Sequence, residues 1–365
     1  MGGSRAGSAT GDGEGALGKV REQVGRALER FLAVQRPVVL GAAGELGPVL
    51  DAIADLLGSG KRLRAAFCYW GFRGAGGGGD PGIFTAAASL ELLHASALVH
   101  DDVMDGSDTR RGRPSIHRRF AARHCAAGWQ GSAESFGRGA AILMGDLLLG
   151  WTDEMFRSSE LPAAALRRGA QVLSHMRTEV MAGQYLDLLE QARATGTVEA
   201  ALRVARLKTA RYTIERPLHL GAALATDGAG AITTAYSRYG LPLGTAFQLR
   251  DDLLGVFGDP AQTGKPAGDD LREGKRTVLV ATALAKAGPA EAAVLNRRLG
   301  DPQLGPEGVD EVRAVITDVG ALAECEGLIE RYTSEALAAL EDAPVTPEAR
   351  GALAELAVAA TARIG

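Results

Sequence analysis

Residues 84–105 read FTAAASLELLHASALVHDDVMD, an apolar run that stops on acid. Read as one helix over residues 82–105, the stretch puts Asp101 and Asp105 four apart on the same face, with Asp102 about 100° round from Asp101. Like charges at that spacing repel, and carboxylates at a helix C-terminus also oppose the helix macrodipole. An isolated DDxxD is most often a solvated helix end. Here it closes a helix that reads as buried, so a compensating cation is expected. The residues that follow, GSDTRRGRP (106–114), bring Arg110, Arg111 and Arg113 directly after the aspartates.

Working outward, apolar residues recur at three and four spacing through LGKVREQVGRALERFLAV (17–34), AAILMGDLLLGWTDEMF (140–156) and AALRVARLKTARYTIERPLHLGAALA (200–225). Alternating β-branched runs are scarce, so the pattern predicts an all-α fold. Asp80-Pro81 and Thr346-Pro347 each set a capping side chain before proline at a first helical position. Pro217 and Pro242 fall inside helical patterns and are expected to kink or break them. The Gly/Ser-rich breaks at 74–79 and 128–139 are too short to separate domains that would each need a core. One domain is therefore expected over 17–365, after a disordered head at 1–16, and no repeat of fixed period is found.

The formal charge is −4, from 40 basic against 44 acidic residues, which argues against a polyanionic partner across the whole surface. No nucleic acid is expected; the basic cluster TRRGRPSIHRR (109–119) is flanked by acid. Cys68, Cys125 and Cys325 are far apart and form no CxxC pair, so neither a disulfide framework nor a zinc knuckle is indicated, and a reducing cytosol fits. The N-terminus lacks the apolar core of a signal peptide and fails the myristoylation pattern at Ala6, and no stretch approaches 18 uninterrupted apolar residues. A cytoplasmic chain with no integral membrane segment is expected.

A second acidic pair, Asp251-Asp252, sits in FQLRDDLLGVFGD (247–259) after another apolar helical run. Two such clusters facing each other make a hard-oxygen site, suited to Mg²⁺ bridging phosphates rather than to zinc or copper. Cationic residues are available for the phosphates: Lys61, Arg62 and Arg64 in SGKRLR, the three arginines after Asp105, Lys208 in RLKTARY, and Lys265 and Lys275 in TGKPAGDDLREGKRT. Each alone reads as a solvated surface charge. Together they describe a pocket for more than one diphosphate, with arginine suited to bidentate oxygen contact. GDPAQTGKP (258–266) is not a P-loop, because its spacing is wrong and no Ser or Thr follows the lysine.

At this point the chain resembles a known family, the trans-isoprenyl diphosphate synthases, most closely the bacterial geranylgeranyl diphosphate synthases. The resemblance runs from about residue 17 to the C-terminus. It rests on GKRLR, ELLHASALVHDDVMD, DTRRGRPSIH, GDLLL, GQYLDL, KTARYT, GTAFQLRDDLLGVFGD and GKPAGDDLREGKRT, in that order. It implies an isoprenoid synthase-type helical bundle around a central apolar cavity, a homodimer, and Mg²⁺, three per active site. The implied substrates are isopentenyl diphosphate and a C5 to C15 allylic diphosphate. Carried over residue by residue, Asp101, Asp105 and Asp251 resemble the metal ligands, with Asp102 and Asp252 in support. Arg110, Lys208, Thr209, Gln248, Lys265 and Lys275 correspond to the allylic diphosphate site, and Lys61, Arg64, His94 and Arg111 to the isopentenyl diphosphate site. The second aspartate motif departs from the full DDxxD, since its last position is Gly255.

In such an enzyme, metal and cationic side chains stabilise charge on a departing diphosphate, and water must be kept from the resulting carbocation. Product length is expected to be set along the helix preceding Asp101. Ser96 and Ala97 are small where a bulky aromatic would stop growth at C15. Leu93 and Leu90 rise roughly 12 and 16 Å from Asp101, near the level a C20 chain reaches. Geranylgeranyl diphosphate is thus the expected product, with C15 or C25 and longer as alternatives. Three other readings are weaker. Glu91 and His94 form ExxH, as in di-iron bundles, but no second ExxH exists. A class I terpene cyclase would replace DDLLG with an Asn/Ser/Glu triad, and a non-catalytic partner subunit would lose the aspartates.

Overall fold

A computed structural model describes residues 13–193, 196–259 and 268–362. The expected disordered head lies outside the described residues as far as residue 12, and the first helix, α1, begins at Gly13 and ends at Ala42. The fold is all-α. Its helices run α2 (Gly47–Leu57), α3 (Leu63–Gly74), α4 (Gly82–Asp105), α5 (Ile116–Ala126), α6 (Ala133–Arg157), α7 (Ala163–Arg193), α8 (Val198–Val204), α9 (Arg216–Ala225) and α10 (Gly230–Phe257). After the acidic pair come α11 (Asp269–Arg272), α12 (Val278–Lys286), α13 (Pro289–Arg298), α14 (Pro306–Asp318), α15 (Ala321–Glu341) and α16 (Pro347–Thr361). Among the described residues the strands are β1 (Thr109–Arg110) and β2 (Arg113–Pro114), an antiparallel ribbon pairing Arg110 with Arg113.

Helix α4 spans the residues predicted for it and lies against α1, α3 and α6. By length and composition it could cross a membrane, but 72% of its most apolar stretch is buried inside the protein. It is a core helix, apolar on nearly every side. Helix α10 ties the interior together. Its first half, through Tyr236, Tyr239 and Leu243, belongs to the apolar cluster built on α1, α3, α4 and α6. Its second half, through Leu249, Leu253 and Val256, belongs to a cluster with α12, α14 and α15. Pro242, expected to kink or break a helix, does not break this one, which runs on from Gly230 to Phe257.

Pro217 behaves differently. It stands where a π-helical segment at Ala205–Glu215 passes into α9, so the winding changes at this proline while the helical run continues. Such wide turns are rare and gather at functional sites. Thr346 caps α16 as expected, accepting from the Ala349 N–H. Asp80 accepts from the Gly82 N–H at 2.9 Å, so its capping role holds with the helix start one residue later.

Two glycines let neighbouring backbones reach the π segment. A Cβ on Gly183 of α7 would stand 2.6 Å from the Lys208 nitrogen, and one on Gly244 of α10 would overlap Ala210 Cα and lie 2.9 Å from its carbonyl oxygen. Those atoms are backbone, so they have no rotamer by which to yield. Gly244→Ala is therefore expected to destabilise the protein by about 1–3 kcal/mol, read as a lower denaturant midpoint at unchanged slope.

Candidate active site

Each aspartate at the end of α4 has its own cation. Lys208, from the π segment, holds Asp101 Oδ1 at 3.2 Å. Arg110, from β1, donates through Nε to Asp102 Oδ1 at 2.9 Å and again through Nη2. Lys275, beyond α11, lies 3.0 Å from Asp105 Oδ2. The chain closes with Gly106 in the left-handed region (φ 68°), which turns β1 back toward the helix end. The compensation that the macrodipole demands thus comes from three elements distant in sequence.

The carboxylates titrate differently as a result. Burial works to raise Asp101, but Lys208, Lys275 and Arg110 outweigh it and hold the carboxyl down at about 2. At Asp105 burial wins, helped by Asp101 and Glu273 against the pull of Lys275 and Lys208, and the carboxyl is pushed up to about 6. Asp252 is buried and its carboxyl is driven well up, chiefly by burial. It accepts from Gln248 Nε2 at 2.6 Å, and Gln248 Oε1 accepts from Thr209 Oγ1. That relay joins the π segment to α10. Asp251 is exposed on the same helix.

Several partners were not singled out from the sequence. Asp187 takes a second bond from Lys208 at 2.7 Å. Glu273 holds Lys275 at 2.6 Å and accepts from Ser107 Oγ at 2.7 Å. Asp270 lies 3.7 Å from the same lysine. All but Ser107 sit inside motifs quoted above, GQYLDL and GKPAGDDLREGKRT, whose acidic residues were the available signal. Lys265 lies outside the described residues.

The second group of cations gathers on the other side of the Arg110–Arg111 bend. Arg64 stacks 4.5 Å over the Tyr212 ring and donates to Thr213 Oγ1 at 2.9 Å. The His94 ring is 6.3 Å from the Tyr212 ring. Burial, then Arg64, Arg111, Arg110 and Arg62, hold His94 well below the usual histidine range, so it is neutral at pH 7. Its Nδ1 and Arg64 Nε are buried without hydrogen-bond partners, as free donors or acceptors facing a ligand would be. Arg111 donates to Ser59 O at 2.8 Å and Ser59 Oγ at 3.0 Å, holding the loop that carries Lys61. Lys61 itself is exposed, and among the described residues no hydrogen bond or ion pair ties it to the others. Glu91 pairs with buried Arg62 at 3.3 Å, which leaves the ExxH reading without its carboxylate.

The metal question turns on donor chemistry. Among the described residues no three acidic, His or Cys side chains stand together as a ready ligand set. The α4 aspartates are spread over separate cations instead. Yet the donors are all oxygen, and Asp105 Oδ1 is buried with no hydrogen-bond partner, so the residues fit a hard divalent cation. Above the aspartates, Leu90, Leu93 and Ser96 are buried, at 0%, 2% and 3% exposure. Ala97 and Leu98 keep partly open surface on the stripe that leads to Asp101. Ala97 is thus partly open and Ser96 packed.

The π segment is clamped at its far end by Glu179 of α7. Its carboxylate takes Arg211 at 2.7 Å and Arg216 Nε at 2.7 Å. Burial tends to raise this carboxyl, but bonds from Arg216 and Arg211 outweigh it and hold the pKa below its ordinary value. A depressed carboxylate stabilises the fold above its unfolded pKa of about 4.3 and ceases to as pH falls through the folded value. Glu179→Gln should thus cost roughly 1.5–3 kcal/mol at pH 7, by analogy with other charged hydrogen bonds. The deficit should shrink steadily below about pH 4, which unfolding midpoints across pH would register.

Residues 48–319 match the sequence model of the family described as polyprenyl synthetase. A geranylgeranyl diphosphate synthase of Mycobacterium tuberculosis is 33% identical over 347 residues, 92% of this chain and 91% of that one. A geranylfarnesyl diphosphate synthase of Aeropyrum pernix is 34% identical over 290 residues, 78% of this chain and 84% of its own. Among solved structures, a geranylgeranyl pyrophosphate synthase of Corynebacterium glutamicum, complexed with isoprenyl diphosphate and magnesium, superposes with a TM-score of 0.89. It is 44% identical, with 95% of this chain and 99% of that chain covered.

Proposed function

This chain belongs to the polyprenyl synthetase family and is a trans-prenyltransferase, and we propose that it extends an allylic diphosphate with isopentenyl diphosphate to make geranylgeranyl diphosphate. The observation that carries this reading is the pair of charged groups split by one bend. Arg110 bonds Asp102, while its neighbour Arg111 bonds Ser59 in the loop that carries Lys61 and leads to Arg64. Two diphosphates can then be held apart with their reacting carbons between them.

In the arrangement described, lysines and Arg110 neutralise carboxylates. When substrate enters, Asp101, Asp105 and Asp251 would hold magnesium, and Arg110, Lys208 and Lys275 would be released to the allylic diphosphate. Bound there, magnesium would supply Lewis acidity to the departing diphosphate. The cationic side chains add to that field, so the allylic C–O bond breaks with its electron pair leaving on oxygen. The double bond of isopentenyl diphosphate attacks the allylic carbon, forming the new C–C bond. A proton then leaves the neighbouring carbon, with the bound diphosphate as acceptor. Neutral His94 donates a hydrogen bond to the isopentenyl diphosphate without adding charge, while Arg64 and Arg111 carry the charge.

The chain is proposed to act as one unit, supported by α10 threading both apolar clusters. It is proposed to pair as a homodimer in the cytoplasm. The pairing is supported by exposed apolar side chains on three helices: Val34 and Val38 of α1, Ile142 and Leu143 of α6, and Met181 and Tyr185 of α7.

Incubating the purified protein with isopentenyl diphosphate, each of the C5, C10 and C15 allylic diphosphates and Mg²⁺, then sizing the products, tests the reading. A ladder ending at C20 supports it, and no condensation with any starter sinks it. Asp101→Ala and Asp251→Ala are each expected to lower turnover at least about 100-fold with the helical content unchanged.

Ala97→Phe should shift the main product to C15, because residue 97 stands one turn, about 6 Å, above Asp101 on the partly open stripe. Ser96→Phe should chiefly cost stability, since its side chain is packed. Equal product lengths from wild type and Ala97→Phe would remove α4 as the wall that measures the chain.

A further inference from the structure

Position 255 is where α10 departs from a full DDxxD. Gly255 follows Asp251 by four residues, so it lies one turn along the same face. A Cβ placed there would overlap Asp270 Oδ2 and stand 2.8 Å from Asp270 Cγ. The space of the missing side chain is thus filled by a carboxylate from α11. That carboxylate is 17% exposed and lies 3.7 Å from Lys275, which also holds Asp105. On the other side of Lys275 is the buried Asp105 Oδ1, an acceptor with no hydrogen-bond partner.

Resting on the magnesium and diphosphate reading above, we propose that Asp270 supplies the carboxylate that α10 lacks at its third motif position. Residue 255 is glycine so that Asp270 can enter. The consequence is mechanical as well as electrostatic. In a full DDxxD all three carboxylates ride on one helix and are present at all times. Here the third stands on the segment that also carries Lys275 and Glu273, so one segment places both the last carboxylate and Lys275. Ser107 Oγ, donating to Glu273, ties the same segment to the end of α4. Asp270 is a positioning residue in this scheme, acting through the metal and its neighbours rather than on the reacting carbons.

The test reads metal binding directly, by thermal unfolding of the full chain titrated with MgCl₂ in the presence of inorganic diphosphate. Asp270→Asn, nearly isosteric, should raise the magnesium concentration for half-maximal stabilisation by about 10–100-fold, the range for lost outer-sphere partners. Gly255→Ala should leave the ligand-free midpoint close to wild type, because the colliding atom is the end of a side chain that can swing aside. It should nevertheless raise the magnesium requirement in the same sense, which a packing defect alone would not do. The double variant Gly255→Asp with Asp270→Gly moves the carboxylate onto α10 and should recover binding to within about threefold of wild type, where Gly255→Asp alone should not. If Asp251→Asn weakens the magnesium response while Asp270→Asn leaves it within about twofold of wild type, this proposal falls and the metal reading stands. A magnesium response unchanged in both variants overturns the metal reading and this proposal with it. A double variant no better than Gly255→Asp alone overturns the claim that the two positions share one role.

Discussion

Three carboxylates at the negative end of a buried helix make a charge that cannot stand unaided, and much of the structure around α4 answers it. A helix C-terminus carries about half a negative charge of its own, and Asp101, Asp102 and Asp105 add to it. Water cannot solvate them fully, because the Asp102 and Asp105 side chains are 3% and 2% exposed. The cations that answer are delivered by the π segment, the β1–β2 ribbon and the segment after α11. Such pairs do not make the fold more stable than apolar packing would; buried ion pairs often cost more in desolvation than they return. Their value lies in keeping carboxylates ionised, as at Asp101, where a ligand can use them.

What was legible in the sequence followed from periodicity and from charge that clusters. Helix α4 was bounded to the residue because its apolar run ends abruptly on acid. The aspartates and most basic residues were found for the same reason. The faces of α4 were not legible. A helix apolar on every side gives no moment to say which stripe is packed and which is open, so Ser96 and Ala97, about 100° apart, read alike. The π segment left no mark either, since a turn widened by one residue is set by tertiary packing at Gly183 and Gly244 rather than by local preference. Pro242 does not end α10, because proline removes one hydrogen bond and the surrounding packing of the helix tolerates that loss. Asp187, Asp270 and Glu273 stood inside recognised motifs, but which carboxylate meets which lysine depends on contacts between elements.

The separation of the two cation groups has a backbone origin. Three non-glycine residues among those described take positive φ, and two of them, Arg62 (56°) and Arg111 (54°), belong to the second group. That conformation costs about 1–3 kcal/mol at each and persists only where the surroundings over-determine it. Here they do. Arg62 is pinned by Glu91 and by the Leu57 carbonyl, and Arg111 by the Ser59 carbonyl and hydroxyl. The left-handed turn at Arg111 reverses the chain between two adjacent arginines, so residues that share a peptide bond serve opposite sides of the site. A regular strand would also send neighbours to opposite faces, but without the turn the ribbon could not fold back against both α4 and the loop at 58–62.

Charge counting explains why such a site would bind its anion only together with metal. Around the α4 terminus the described residues bring Asp101, Asp102, Asp105, Asp187, Asp251, Asp252, Asp270 and Glu273, against Arg110, Lys208 and Lys275. Among the described residues acid exceeds base there, even with the Asp105 carboxyl pushed up to about 6. An arriving diphosphate would meet net repulsion, and at partial burial that repulsion is several-fold stronger than in water. Divalent cations reverse the balance, each carrying two charges into a cluster of hard oxygen donors. In the proposed reading the lysines and arginine would then exchange carboxylate for phosphate. A site in which carboxylates outnumber cations until metal binds would take up its diphosphate and its metal together, and so would assemble the charge that departure of the diphosphate requires.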